Sequence, residues 1–313
     1  MKTKKIIYLP LLLSVLFFTQ GCEEDKIVDE VFDATTRGAI LRTLEIGGNT
    51  FFNAFDTTTD YSVRFEAQDH QNGALLESVD GYISFVDRTS ANGDSSTSEQ
   101  LDFSIPASSF TTSSNGLPES GFNYVMSDMI TSLGLSASDY TGGDQFKVRL
   151  VYNLTDGRSF SEDDASGNIA SGSFFQSPYA YLIDVKCIPL GPVAGTYTID
   201  MFDSYGDGWQ STTSGGGPGL QVNVDGTILE VGLCSPYGSA AGTFLGSAGC
   251  TSGASSGTAT ITIPAGAVSA VWTWPGDFWG EMSADIYGPN GDLAAEVGPS
   301  TAAGTEIILS LCP

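Results

Sequence analysis

Phe146-Lys147-Val148-Arg149-Leu150-Val151-Tyr152-Asn153-Leu154, running into Thr155-Asp156-Gly157, decides the fold. Apolar side chains occupy every second position, and successive side chains of a strand point to opposite faces. The stretch therefore has one apolar and one polar face, as a half-buried strand does. Asp-Gly after such a run is a hairpin turn dipeptide, because these residues tolerate the positive φ angles the turn needs. The same period of two recurs in Tyr61, Val63, Phe65 and Ala67, in Leu101, Phe103 and Ile105, and in Tyr179, Tyr181, Ile183 and Val185. With residues 38–44 and 81–86 added, this part of the chain holds roughly seven strands. One segment departs from the pattern. Met126, Met129, Ile130 and Leu133 stand at helical spacing within residues 124–133 and Gly134 follows, which predicts one short helix over an open end of the strands.

The 313 residues leave room for two domains. There are 38 glycines and hardly any long amphipathic segment, which makes the chain all-β. Residues 35–185 form the first domain, with the strand number of an immunoglobulin-like β-sandwich. Cys187-Ile188-Pro189-Leu190-Gly191-Pro192 punctuates the chain, and residues 187–313 form the second domain. Its alternating runs are Tyr197, Ile199 and Met201; Leu220, Val222 and Val224; Ile261 and Ile263; Ala270, Trp272 and Trp274; Met282, Ala284 and Ile286; and Ile307, Leu309 and Leu311. About eight short strands separated by turns pack economically as a jelly-roll sandwich.

Cys187, Cys234, Cys250 and Cys312 all fall in this second part, an even number that predicts two disulfides in an exported protein. Of the three possible connectivities, Cys187 with Cys312 would tie the start of the domain to its end, and Cys234 with Cys250 would close a Gly/Ser-rich loop. A zinc site is the alternative, but no CxxC pair or accompanying His is present.

At the other end of the chain, Lys2, Lys4 and Lys5 precede residues 6–18, which carry no charge. That run is too short to span a bilayer and suits the apolar core of a signal peptide, residues 1–21. Gly21-Cys22 at its end resembles the lipobox of bacterial lipoproteins, in which the Cys becomes the first residue and is acylated with chains such as palmitate. Thr19 stands where the usual lipobox has Leu, a departure tolerated by lipoproteins of the Bacteroidota. Glu23-Glu24-Asp25, at the head of an acidic tether over residues 22–34, resembles their signal for export to the cell surface. The resemblance implies an outer-membrane protein anchored through Cys22 and facing the exterior.

Twelve Lys and Arg stand against 37 Asp and Glu, a formal charge of −25. Loss of the signal removes three Lys and leaves nine basic residues against 37 acidic, a formal −28. Nucleic acid is repelled as a partner and cations are attracted.

Asp203-Ser204-Tyr205-Gly206-Asp207-Gly208-Trp209 is the distinctive motif, with two carboxylates and an aromatic in a glycine-bearing turn directly after a strand. Its D-x-x-x-D-G core is half of a calcium loop, in which glycine lets the backbone turn sharply around the ion. Tyr205 at the third position and Ser214 at the twelfth exclude an EF-hand. Residues 187–313 resemble the D-S-x-G-D-G-W modules of exported Bacteroidota proteins, whose shape is similar to CUB-like sandwiches. In that resemblance residues 274–282 answer to the later acidic and aromatic turn, and Asp203, Asp207, Asp277 and Glu281 are the implied calcium ligands. The competing expectation is that these acids cap their own turns. Tyr205, Trp209, Phe278 and Trp279 are the candidate ligand-binding aromatics, because sugar rings stack on exposed indoles and phenols.

The sequence is read as non-catalytic. His70 is the sole histidine and lies in a polar turn, and no HExxH, phosphate-binding glycine loop or CxxC occurs. The first domain loosely resembles the immunoglobulin-like modules of SusE/SusF-type lipoproteins. The leading expectation is therefore an accessory binding subunit of an outer-membrane complex, capturing a glycan or other nutrient beside a SusC/SusD-type transporter. A structural subunit of an outer-membrane assembly or export machine, or an adhesin, is the alternative. Cys22→Ser should move the protein from the membrane pellet to the soluble fraction and abolish labelling by radioactive palmitate.

Overall fold

The computed structural model describes residues 37–89, 93–211, 216–237, 249–251 and 255–312. Cys22, the signal segment and the acidic tether lie outside the described residues. Among the described residues no helix is long and apolar enough to cross a membrane.

The chain is all-β and its buried apolar residues form two clusters. Among the described residues the first gathers ten strands: β1 (Ile40–Gly48), β2 (Phe51–Asn53), β3 (Asp60–Gln68), β4 (Leu76–Val86), β5 (Gln100–Pro106), β6 (Thr111–Thr112), β7 (Pro118–Val125), β8 (Gln145–Leu154), β9 (Ser159–Phe160) and β10 (Ala180–Lys186). One sheet runs β1-β3-β7-β6, and the other runs β2-β10-β8-β4-β5 with β9 paired to β8. All pairings are antiparallel except that of β2 with β10. Phe146, Val148, Leu150, Tyr152 and Leu154 of β8 are all buried, as their alternation predicts. Their polar neighbours Lys147 and Arg149 point away from the core and pair with Glu99 and Glu162.

The helix forms as α1 (Met126–Leu133), with Met126 and Met129 buried and Gly134 closing it in the left-handed conformation at φ 70°. It begins two residues later than the spacing predicts because Tyr124 and Val125 belong to β7. That strand was not anticipated. Its residues are mostly half-buried rather than alternating, and Pro118 and Gly121 interrupt the pattern.

The second cluster lies between a sheet of order β14-β11-β16-β17 and one of order β13-β12-β15. These strands are β11 (Gly195–Asp203), β12 (Leu220–Val224), β13 (Thr227–Val231), β14 (Ser256–Ile263), β15 (Ala270–Thr273), β16 (Met282–Tyr287) and β17 (Leu293–Val297). Tyr197 of β11 meets Trp272 of β15 across the sandwich, with ring centroids 5.0 Å apart. The expected strand over residues 307–311 does not form a ladder. Ile307 bonds to Trp272 on one sheet, Ser310 to Ala294 on the other and Leu311 to Cys187, so the segment leaves the edge of β15 at Ile307 and crosses to the other sheet.

Both expected disulfides are present, Cys187–Cys312 and Cys234–Cys250, each with 5.0 Å between Cα atoms. The first also seats the second sandwich on the first. The Gly142 amide donates to Cys187 Sγ at 3.2 Å, and a Cβ at Gly142 would overlap the sulfur of Cys312. Asn53, buried on β2, takes both backbone groups of Ile188, its Nδ2 donating to the carbonyl and its Oδ1 accepting the amide, each at 2.9 Å. Replacing Cys187 and Cys312 together by Ser should cost about 2–5 kcal/mol, read as a lower urea midpoint for the second sandwich.

Candidate functional site

The site is built by strand parity. Tyr197, Ile199 and Met201 of β11 face the core, and Asp203 is the next residue of the same parity, so its carboxylate arrives on the inner side of the sandwich. β11 pairs with β16 in a register that sets Asp203 against Met282, which puts Glu281 beside it. The Ser204 amide donates to the Glu281 carbonyl at 2.9 Å and extends that ladder by one rung. Gly206 and Gly208, at φ 90° and 84°, then fold the chain back and return Asp207 towards the strand end. Gly208 has a second reason to be glycine: a Cβ there would overlap the Cys234 carbonyl oxygen, where the loop of the Cys234–Cys250 disulfide lies against the turn.

Asp203, Asp207 and Glu281 consequently each bring an oxygen to within 4.8 Å of the others. Asp203 is 3% exposed. Its Oδ1 accepts the Gly206 amide, while its Oδ2 is buried without a hydrogen-bond partner. Burial pushes the Asp203 carboxyl above the ordinary aspartate value, and the charge of Asp207 adds to the effect against the opposing pull of the turn amides. Glu281 is likewise pushed up, first by burial and then by Asp203, Asp207 and Asp277. A cluster of acids with an unmet buried oxygen is what a hard cation relieves. Every donor is oxygen, which suits calcium.

Asp207 and Glu281 also line a pocket of about 470 Å³, together with Tyr205, Gln210, Tyr237 and Trp279. Gln210 is buried, and its Nε2 donates to Asp207 Oδ1 at 2.9 Å and to Ser235 Oγ at 3.0 Å, which joins the acidic turn to the disulfide loop. The rings are open to solvent, Tyr205 at 78%, Tyr237 at 53% and Trp279 at 58% exposed. Phe278 is exposed as well, but it stands edge-on to Trp279 at 4.9 Å and is not among the pocket residues.

Two of the anticipated residues have other duties. Trp209 is completely buried, its Nε1 donating to the Phe202 carbonyl at 2.9 Å and its ring meeting Trp274 at 5.5 Å, so it anchors the turn from within and offers a ligand no face. Asp277 caps its own turn, with Oδ1 accepting the amides of Trp279 and Gly280 and Oδ2 that of Met282. It is absent from the carboxylate cluster and instead shapes the turn that presents Trp279. Tyr237 and Gln210 were missed. Their sequence signal was only proximity, Gln210 directly after the motif and Tyr237 three residues past Cys234.

No protein-family model matches the chain, and no curated protein matches it.

Because its folded-state pKa is raised, Asp203 favours the folded protein least when ionised. Without a divalent cation, its share of stability is present below the ordinary value of 3.8 and is lost as pH rises through the folded value. In chelator, Asp203→Asn should therefore melt a few degrees above the wild type at pH 7, with the gap closing towards pH 3.

Proposed function

We propose that the protein is a lipid-anchored, non-catalytic binding subunit at the exterior of the outer membrane, tethered through Cys22. Its second sandwich holds calcium between Asp203, Asp207 and Glu281 and takes a glycan in the pocket beside it. One observation carries the reading: the buried, unpartnered Asp203 Oδ2 lies in a carboxylate cluster whose other two members line an aromatic-rimmed pocket. An acid turn that only capped itself would leave no buried oxygen unmet, as the partnered Asp277 illustrates. The aromatic rim supports a ligand with apolar faces and polar edges, which is the character of a sugar ring. The lipobox-like Gly21-Cys22 and the strongly acidic composition support an anchored surface protein, and accessory membership of an outer-membrane transport complex is the setting proposed for it.

Calcium should raise the melting temperature of the wild type. At one hundred times its dissociation constant the stabilisation is about 2.7 kcal/mol, since an ion bound only by the native state shifts unfolding by mass action. Asp207→Asn and Glu281→Gln should each abolish that rise, whereas Asp277→Asn should leave most of it. An unchanged wild-type melting curve with and without chelator would sink the calcium site.

A further inference from the structure

We infer that the ion and the ligand meet directly: two vicinal hydroxyls of a neutral sugar complete the coordination of the cation held by Asp203, Asp207 and Glu281, with the sugar's apolar face against Trp279. This rests on the calcium reading above and deepens it.

The first argument is a ligand count. Calcium takes six to eight oxygens, and of the Asp203 oxygens Oδ2 is the one without a partner, Oδ1 accepting the Gly206 amide. With that oxygen and with Asp207 and Glu281 both bidentate, the carboxylates supply about five oxygens, so positions remain for other donors.

The second argument is direction. Asp203 is the buried member of the cluster, whereas Asp207 and Glu281 line the pocket. The unfilled side of the ion therefore opens where Tyr205, Tyr237 and Trp279 stand. About 470 Å³ lies within the range of small-molecule sites and admits a sugar that reaches both ion and ring.

The third argument is charge. Three carboxylates around one divalent ion remain net negative, and among the described residues no basic side chain lines the pocket. The whole chain adds a formal −25. Uronic acids, sulfates and phosphates are repelled, so the remaining oxygen donors must be neutral. Adjacent hydroxyls on one ring are such a pair, and they hold the ring's apolar face to one side, where an indole can cover it.

The test is calorimetry on the purified full chain with mannan, dextran, xylan and a mixed-linkage β-glucan, each in calcium and in chelator. The expected result is binding of at least one polysaccharide in calcium only, lost when its vicinal diols are cleaved by periodate and the product reduced. Trp279→Ala should weaken polysaccharide binding at least tenfold and leave the calcium titration unchanged, whereas Asp207→Asn should lose both. Equal polysaccharide binding in chelator would overturn the inference while leaving the calcium reading standing. So would calcium binding with no uptake of any of the four polysaccharides, or binding that survives periodate. Absence of a calcium titration would instead remove the reading beneath it.

Discussion

A carboxylate placed on the inward parity of a strand is costly to bury, and the second sandwich is arranged around one. Asp203 follows Tyr197, Ile199 and Met201 on the core side of β11, where an ionised oxygen loses its water. The turn that follows answers half of this demand through the Gly206 amide. The remaining features all lie around the unanswered half. Trp209 plugs the turn from inside, Gly208 lets the disulfide loop approach, Gln210 links that loop to Asp207, and β16 delivers Glu281 to the same strand end.

Comparison with the other buried acids shows how unusual Asp203 is within this chain. Glu66 is fully buried, yet Arg42, Ser113 and Asn115 all bond to it; burial alone would raise its pKa, and these partners hold it below the ordinary glutamate value. Asp69 accepts the amides of Gln71, Gly73 and Leu75 and the Tyr152 hydroxyl. Asp144 accepts the amides of Arg88 and Thr141 and the hydroxyl of Thr89. The first sandwich uses its buried acids to fasten loops and strands. The second leaves one open beside a pocket.

Legibility in the sequence followed the range of the interactions involved. The strands β3, β8, β10 and β11 could be read because burial on one face imprints a period of two, and α1 because its apolar stripe ends at a glycine. The β7 strand could not, since half-buried residues on both faces leave no alternation. Residues 307–311 do alternate, but the bonds that would make them a strand go to three different partners. Within the site, Asp203 and Asp207 were visible because they share one motif, and Glu281 through the resemblance of residues 274–282 to a later acidic turn. The duties of Trp209 and Asp277 were not, because exposure depends on which way a turn folds, and that is set by contacts distant in sequence. Tyr237 lies three residues past Cys234 and lines the pocket, a placement that the expected Cys234–Cys250 pairing did not by itself reveal.

The Cys187–Cys312 bond has a mechanical meaning for the second sandwich. Both ends of the second sandwich converge on one covalent node, and that node rests on Gly142 and Asn53 of the first sandwich. Tension applied at the strand ends bearing Asp203 and Glu281 returns to the node by two routes, one through β11 and one through β16 and the strand that follows it. Shear is shared between parallel chains instead of being drawn through one. The sandwich can then be held under load without being unravelled end to end.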